Sequence, residues 1–290
     1  MPYVSKIKQT LIGHSRAINA LKFSTNCSVL LSSGDDASVI IWNLRSSNNF
    51  QVIQVPLQGP VSAIIWTPLQ RVAKPAAFVF GCTDRTLFLC EKTSFPPYVH
   101  EYHICSTYQS FDEPVEDLAF DKDHCRLAAV SRQGIKLVEI DEKGCFVKLA
   151  SEESRDKFLP RGVAFIEEGK QVIVGFMELH EIAHMAIDPA STAIMISNLE
   201  KELELYTLPL EQVPVQVATM SFPRKITRRG IPLLTSIDDQ AVVGGTDYGA
   251  VEVFEQSHRG EPHVLEHWNH GMGGGGDCVV RAFPSQCPEK

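Results

Sequence analysis

Residues 11–44, LIGHSRAINALKFSTNCSVLLSSGDDASVIIWNL, constrain the fold more than any other stretch of the chain. Apolar side chains recur with strand-like alternation over 17–23, and two further strand patterns follow over 29–32 and 39–42. Ser33, Gly34, Asp35 and Asp36 stand between the last two, where a tight hairpin needs residues tolerant of positive φ. A sheet this small cannot bury its own apolar faces. It requires further copies of itself, stacked side by side.

Those copies are visible. The strand ending at Trp42 recurs as TDRTLFLC over 83–90, with Asp84 at the place of Asp36 and Cys90 at the place of Trp42. QGIKLV over 133–138, ELELY over 202–206 and GTDYGAVEVF over 245–254 repeat it again. The ends fall at 42, 90, 138, 206 and 254, so the intervals are 48, 48, 68 and 48. Two full periods would be 96, so the long interval is short by about 28 residues (96 − 68). The patterns predict two strands of a fourth unit over 161–166 and 171–177. Two strands of a fifth are predicted over 184–187 and 192–197, and an outer strand of a sixth over 262–268. Residues 7–11 are placed to close the set, but only 278–283 offers them a partner strand.

The period and the layout Gly13-His14, Ser32, Asp36, Trp42-Asn43 resemble the WD40 repeat. The resemblance is strong in the first unit and fair over 81–90 and 244–254. It implies an all-β fold, a WD40-like β-propeller nominally of seven blades. One blade near 161–206 would be irregular or truncated, and the closing blade incomplete. The propeller would span 1–268, with 269–290 a Gly-rich flexible tail. The family's His, Ser, Asp and Trp form a hydrogen-bonded relay, matched here by His14, Ser32, Asp36 and Trp42. In that role Asp36 accepts from His14, the imidazole meets Ser32, and Ser32 accepts from the Trp42 indole. The second unit has Gly59-Pro60 in place of Gly13-His14, so its relay cannot form. A Ser, a His and an Asp together also suggest a hydrolase triad, but no nucleophile elbow accompanies them.

The function that follows is a non-catalytic scaffold for protein–protein interaction, with other proteins as partners and no cofactor. By analogy with the family, Ser15 and Arg16 face the ring surface, as do Pro60 and Val61, and Asp112 and Glu113. The net charge of −8 argues against a general nucleic-acid or anionic-membrane binder. No apolar signal segment follows the first residues and no run of about 18 apolar residues occurs, which points to the cytoplasm or the nucleus. Eight cysteines, at 27, 82, 90, 105, 125, 145, 278 and 287, form no CxxC pair and read as buried free thiols.

Two alternatives come from other classes. His180-Glu181-Ile182-Ala183-His184 is a literal HExxH, the motif of a zinc-dependent hydrolase. On a helix the two imidazoles lie about 6 Å apart on one face, with Glu181 as base. On a strand they lie about 13 Å apart and cannot share a metal. The basic run Arg224, Lys225, Arg228 and Arg229 ends in Thr-Arg-Arg-Gly, similar to the Phe-Arg-Arg-Gly of phosphoinositide-binding propellers. It would take a phosphoinositide or a phosphopeptide. Residues 271–276 satisfy GxGxxG without a strand before or a helix after. His258, His263, His267 and His270 read as polar residues of a hairpin and tail.

Overall fold

The computed structural model describes residues 11–45, 48–68, 76–93, 101–109, 111–153, 159–177, 182–187, 193–198, 202–207, 215–221, 234–238, 241–245, 250–255 and 264–269. All regular elements among them are strands, and their described pairings are antiparallel. β1 (Ile18–Phe23), β2 (Val29–Gly34), β3 (Ser38–Asn43) and β4 (Asn48–Gln54) form the first sheet in sequence order. The second holds β5 (Val61–Trp66), β6 (Ala77–Cys82), β7 (Thr86–Lys92) and β8 (Tyr102–Gln109). The third holds β9 (Asp117–Asp121), β10 (Arg126–Ser131), β11 (Gly134–Ile140) and β12 (Phe146–Glu153). The fourth has two strands only, β13 (Leu159–Ile166) and β14 (Gln171–Met177). The fifth holds β15 (Ile182–Ile187), β16 (Ala193–Asn198), β17 (Glu202–Thr207) and β18 (Val215–Ser221). The sixth holds β19 (Leu234–Asp238), β20 (Ala241–Gly245), β21 (Ala250–Glu255) and β22 (Val264–Asn269).

The period in the sequence is a period in the sheets. Trp42, Cys90, Val138, Tyr206 and Phe254 all lie on third strands, opposite the second residue of the strand before. At each of them the pairing with the fourth strand slips by one residue. The extra residue sits on the outer strand: Phe50, Cys105, Leu149, Val217 and Leu265. A bulge at the same place in five sheets adds the same extra twist to each. The 68-residue interval contains the half sheet β13–β14, which β15 follows without, among the described residues, the third and fourth strands that the other sheets carry. The expected closing strands, 7–10 and 278–283, and the Gly-rich tail from residue 270 lie outside the described residues.

The chain divides into two compact units, Leu11–Phe176 and Met177–Lys290 with Met1–Thr10. In the first unit the core lies between successive sheets. Leu31, Val39 and Ile41 of the first sheet meet Phe78, Phe80 and Phe88 of the second. Val79, Leu87 and Leu89 meet Leu118, Leu127 and Ala129 of the third. Ala128 and Val130 meet Val163, with Val172 and Val174 alongside. In the second unit Met195, Leu203, Leu205 and Met220 pack on Phe254. Each buried apolar side chain of this size contributes about 1.5–3 kcal/mol, so the stability resides in the seams between sheets.

Polar side chains on the innermost strands span those seams. Asn19 and Ser62 are the bulged residues of β1 and β5, and the bulge frees each side chain from its own ladder. Asn19 Nδ2 donates to Asp35 Oδ1 at 2.8 Å and to the Val61 carbonyl at 3.1 Å, in the next sheet. Ser62 Oγ donates to the Val115 carbonyl at 2.5 Å, at the entry to the third sheet. Asp117 of β9 accepts the Val163 N–H of β13 at 2.9 Å. Burial pushes the Asp117 carboxyl above the ordinary carboxylate range, against the pull of Lys22 and of the Val163 and Leu118 amides.

The cysteines divide. Cys82, Cys90, Cys105, Cys125 and Cys145 are free, and Cys105 and Cys145 are exposed. Cys27 is disulfide-bonded, so the reading of all eight as free thiols does not hold. Among the described residues no helix is long and apolar enough to cross a membrane.

Candidate functional site

The polar cluster of the first sheet is assembled from four places in the chain. Ser32 comes from β2, Trp42 from β3, Asp36 from the turn between them, and His14 from the segment before β1. The Trp42 indole N–H donates to Ser32 Oγ at 2.8 Å. An indole nitrogen cannot accept, so Ser32 Oγ is the acceptor in this bond. The Asp36 carboxylate accepts, and both its oxygens lie 3.0 Å from His14 Nδ1, so Nδ1 is the donor of that pair. Ser32 Oγ lies 2.6 Å from His14 Nε2. The tautomer with its proton on Nδ1, with Ser32 donating to Nε2, satisfies all four groups.

Ser38 and the Ser15 amide extend the network. Ser38 Oγ donates to Asp36 Oδ1 at 2.6 Å, and Ser15 N–H donates to Asp36 Oδ2 at 2.9 Å. The sequence held a sign of this in Asp36-x-Ser38, which recurs as Asp84-x-Thr86. Thr86 Oγ1 and Thr86 N–H each donate to Asp84 at 3.0 Å. The middle residues, Ala37 and Arg85, take positive φ of 57° and 82°. The hairpin therefore places Ala37, and not Gly34, in the left-handed region. Gly34 is needed for space. A Cβ there would stand 2.8 Å from the Ala17 carbonyl and 3.0 Å from His14 Nδ1.

The His14 and Asp36 side chains are 3% and 11% exposed, and Trp42 is 4% exposed. Burial tends to raise the Asp36 carboxyl, but the bonds from Ser38, Ser15 and His14 outweigh it and hold the group below the ordinary carboxylate range. Because the folded value lies below the unfolded one, Asp36 stabilises the fold above the ordinary carboxylate pKa of about 3.9. That contribution is lost as pH falls through the folded value. Urea midpoints recorded from pH 7 to pH 3 are expected to fall less steeply for Asp36→Asn than for the parent. Parallel curves would refute the assignment.

The candidate contact residues lie at one end of their sheets, where the loop before each first strand meets the turn between the second and third. Asp35 N–H bonds the Ala17 carbonyl, Thr83 N–H the Pro60 carbonyl, and Asp112 N–H the Gln133 side chain. Ser15, Arg16, Asp112 and Glu113 are exposed and Pro60 is half-buried. Val61 is a correction. It is 0% exposed, inside the core between the first and second sheets, and has no free surface to offer.

The zinc reading requires a helix through 180–184, and its described residues, 182–184, are strand. Ile182 and His184 pair with Asn198 and Ser197 as the start of β15, with Ala183 in a bulge between them. β14 ends at Met177, and the described residues on either side of this segment are strands. His180 and Glu181 lie outside the described residues, as do Arg224, Lys225, Arg228 and Arg229. His258, His263 and His270 also lie outside, and His267 stands on β22. Among the described residues no three His, Cys, Asp or Glu side chains are grouped to hold a metal ion.

The family model described as WD domain, G-beta repeat, matches residues 5–43, the stretch that carries this network. The chain carries a WD40 repeat. Its fold is that of the WD40 β-propellers. The β-propeller domain of Cps50 (Swd1) from Myceliophteria thermophila superposes with a TM-score of 0.70, covering 96% of this chain and 93% of that one at 12% identity. The WD40 repeats of RRP9 give the same TM-score, covering 94% and 85% at 14% identity. In sequence, Protein TPR3 of Oryza sativa subsp. japonica is 35% identical over 69 residues. Topless-related protein 1 of Arabidopsis thaliana is 36% identical over the same length. Each match covers 23% of this chain and 6% of the relative, so the chain aligns with a small part of these much longer proteins.

Proposed function

We propose that this protein is a non-catalytic WD40 scaffold that binds other proteins through the loops at the Asp36 end of its sheets. The observation that carries the reading is the closed network of His14, Ser32, Asp36 and Trp42. Its serine proton is directed at a histidine, as in a hydrolase, but the serine oxygen also accepts the Trp42 indole within a buried blade. A nucleophile needs open space at its oxygen. The network serves as a brace that holds the loop before β1 against the β2–β3 turn. Residues 1–268 would be the propeller and 269–290 a tail. Among the described residues Cys82, Cys90, Cys105, Cys125 and Cys145 stand outside any disulfide, which supports a reducing compartment, cytoplasmic or nuclear.

The loops supply charge of both signs, Arg16 on one side and Asp112 and Glu113 on the other. They are exposed and lie outside the core. Arg16→Glu and the pair Asp112→Lys with Glu113→Lys are expected to change folding stability by less than about 0.5 kcal/mol. The same variants are expected to lose the proteins that co-purify with the parent from native cells. Unchanged co-purification with both variants would overturn the placement of the binding surface.

A further inference from the structure

Ile12 and Leu57 are 87% and 90% exposed. The other exposed large apolar side chains among the described residues lie on strands, and none exceeds 54%. Ile12 and Leu57 each lie in a loop that precedes a first strand, at the Asp36 end of the sheets. Leu57 is the second-sheet counterpart of Leu11, since Leu11-Ile12-Gly13 repeats as Leu57-Gln58-Gly59. Leu11 packs on the cluster that contains Trp42. The second sheet has Cys90 at the place of Trp42, and there Leu57 stays in solvent. Its loop is fixed all the same. Val55 N–H bonds the Ala37 carbonyl at 2.9 Å, Gln58 N–H closes a turn on the Val55 carbonyl at 3.0 Å, and Asp84 N–H bonds the Gln58 carbonyl at 3.2 Å. Pro56 presets the first central position of that turn, and Gly59 follows with a φ of 71°. A leucine held out on such a turn has little backbone freedom left to lose on binding.

We infer that Leu57 is the apolar anchor of the binding surface, seated in an apolar pocket of a partner protein that also offers a carboxylate to Arg16. This role presupposes the scaffold function and adds to it the chemistry of the partner. Leu57 and Arg16 belong to one patch. Ser15 N–H is held by Asp36 and Val55 N–H by Ala37, adjacent residues of the β2–β3 turn. Ile12, two residues before His14, borders the same turn. The carboxylates of that turn are already engaged, Asp35 by Asn19 and Asp36 by His14, Ser15 and Ser38. The charge that the patch presents is therefore Arg16, exposed beside Ser15. An acidic side chain on the partner meets that charge. A pocket for Leu57 removes from water the most exposed large apolar side chain among the described residues.

A random peptide library selected on the full chain, with the Leu57→Ser chain as counter-selection, tests the anchor. Leu57 lies outside the core, so the two chains are expected to melt together. Peptides that bind only the parent are expected to combine Asp or Glu with Phe, Leu, Ile or Val. Their affinity is expected to fall about tenfold on Leu57→Ala, which removes most of the buried apolar area, and to survive Leu57→Met. Arg16→Glu is expected to weaken the same peptides and to remove the loss of affinity with added salt. Enriched peptides that bind the Leu57→Ser chain as tightly as the parent, peptides lacking either an acidic or an apolar residue, or no enrichment at all would each overturn the anchor. Proteins that co-purify from native cells separate this result from the scaffold function. If Leu57→Ser keeps them while the Arg16 and Asp112–Glu113 variants lose them, the anchor is wrong and the binding surface stands. If every variant keeps them, the binding surface itself is wrong.

Discussion

Trp42→Ala is expected to lower the stability of the chain by about 3–5 kcal/mol, the range for emptying a large buried aromatic site. Two losses combine. The ring packs among Leu30, Ile40, Leu11 and Leu21, and its removal leaves a cavity in that cluster. The indole N–H is also the fixed donor that orients Ser32 and, through it, His14. Trp42→Phe separates the two. It keeps most of the apolar contact and removes only the donor, and is expected to cost about 1–3 kcal/mol. Denaturant unfolding of both variants beside the parent measures the difference. A Trp42→Phe variant as stable as the parent would show that the indole nitrogen contributes nothing, and the brace would then be packing alone.

Phe78→Ala is expected to have an effect of similar size, about 3–5 kcal/mol, for a different reason. Phe78 is 0% exposed and stands in an aromatic cluster between the first and second sheets. Its ring lies 5.3 Å from Tyr102, 5.7 Å from Trp66 and 6.4 Å from Phe80. No polar group depends on it, so the loss is contact and cavity only. Phe78→Leu keeps much of the volume and is expected to cost under about 2 kcal/mol. A thermal melt for Phe78→Ala that matches the parent would place the stability somewhere other than the seam between the sheets.

What could be read from the sequence was whatever repeats. The third strands could be placed because Trp42, Cys90 and Val138, and again Tyr206 and Phe254, stand 48 residues apart, and the 68-residue interval before Tyr206 marked the half sheet. The side chains of the first-sheet cluster could be listed for the same reason. Ser38 escaped because its signal is a two-residue offset from Asp36 that looks like ordinary turn composition. Val61 was misplaced because loop position alone does not tell which way a side chain turns, and the bulge at Ser62 turns Val61 into the core. The HExxH pattern misled for a related reason. Its helical meaning is local, whereas β15 is fixed by pairing with β16, which sets Ile182 and His184 opposite Asn198 and Ser197. Gly34 was credited with a backbone role that Ala37 takes, because a close approach to His14 is invisible until the network is assembled.

First strands take part in each joint from one sheet to the next: Asn19 reaches Val61, Ser62 reaches Val115, and Asp117 takes the amide of Val163. None of these bonds involves a third or fourth strand. The fourth sheet shows what this permits, since it lacks half its strands and β13 still holds its bond to β9. Construction of this kind separates assembly from content. These three joints do not depend on the outer half of a blade, which leaves such chains room to vary their rims while the first strands keep the order of their sheets.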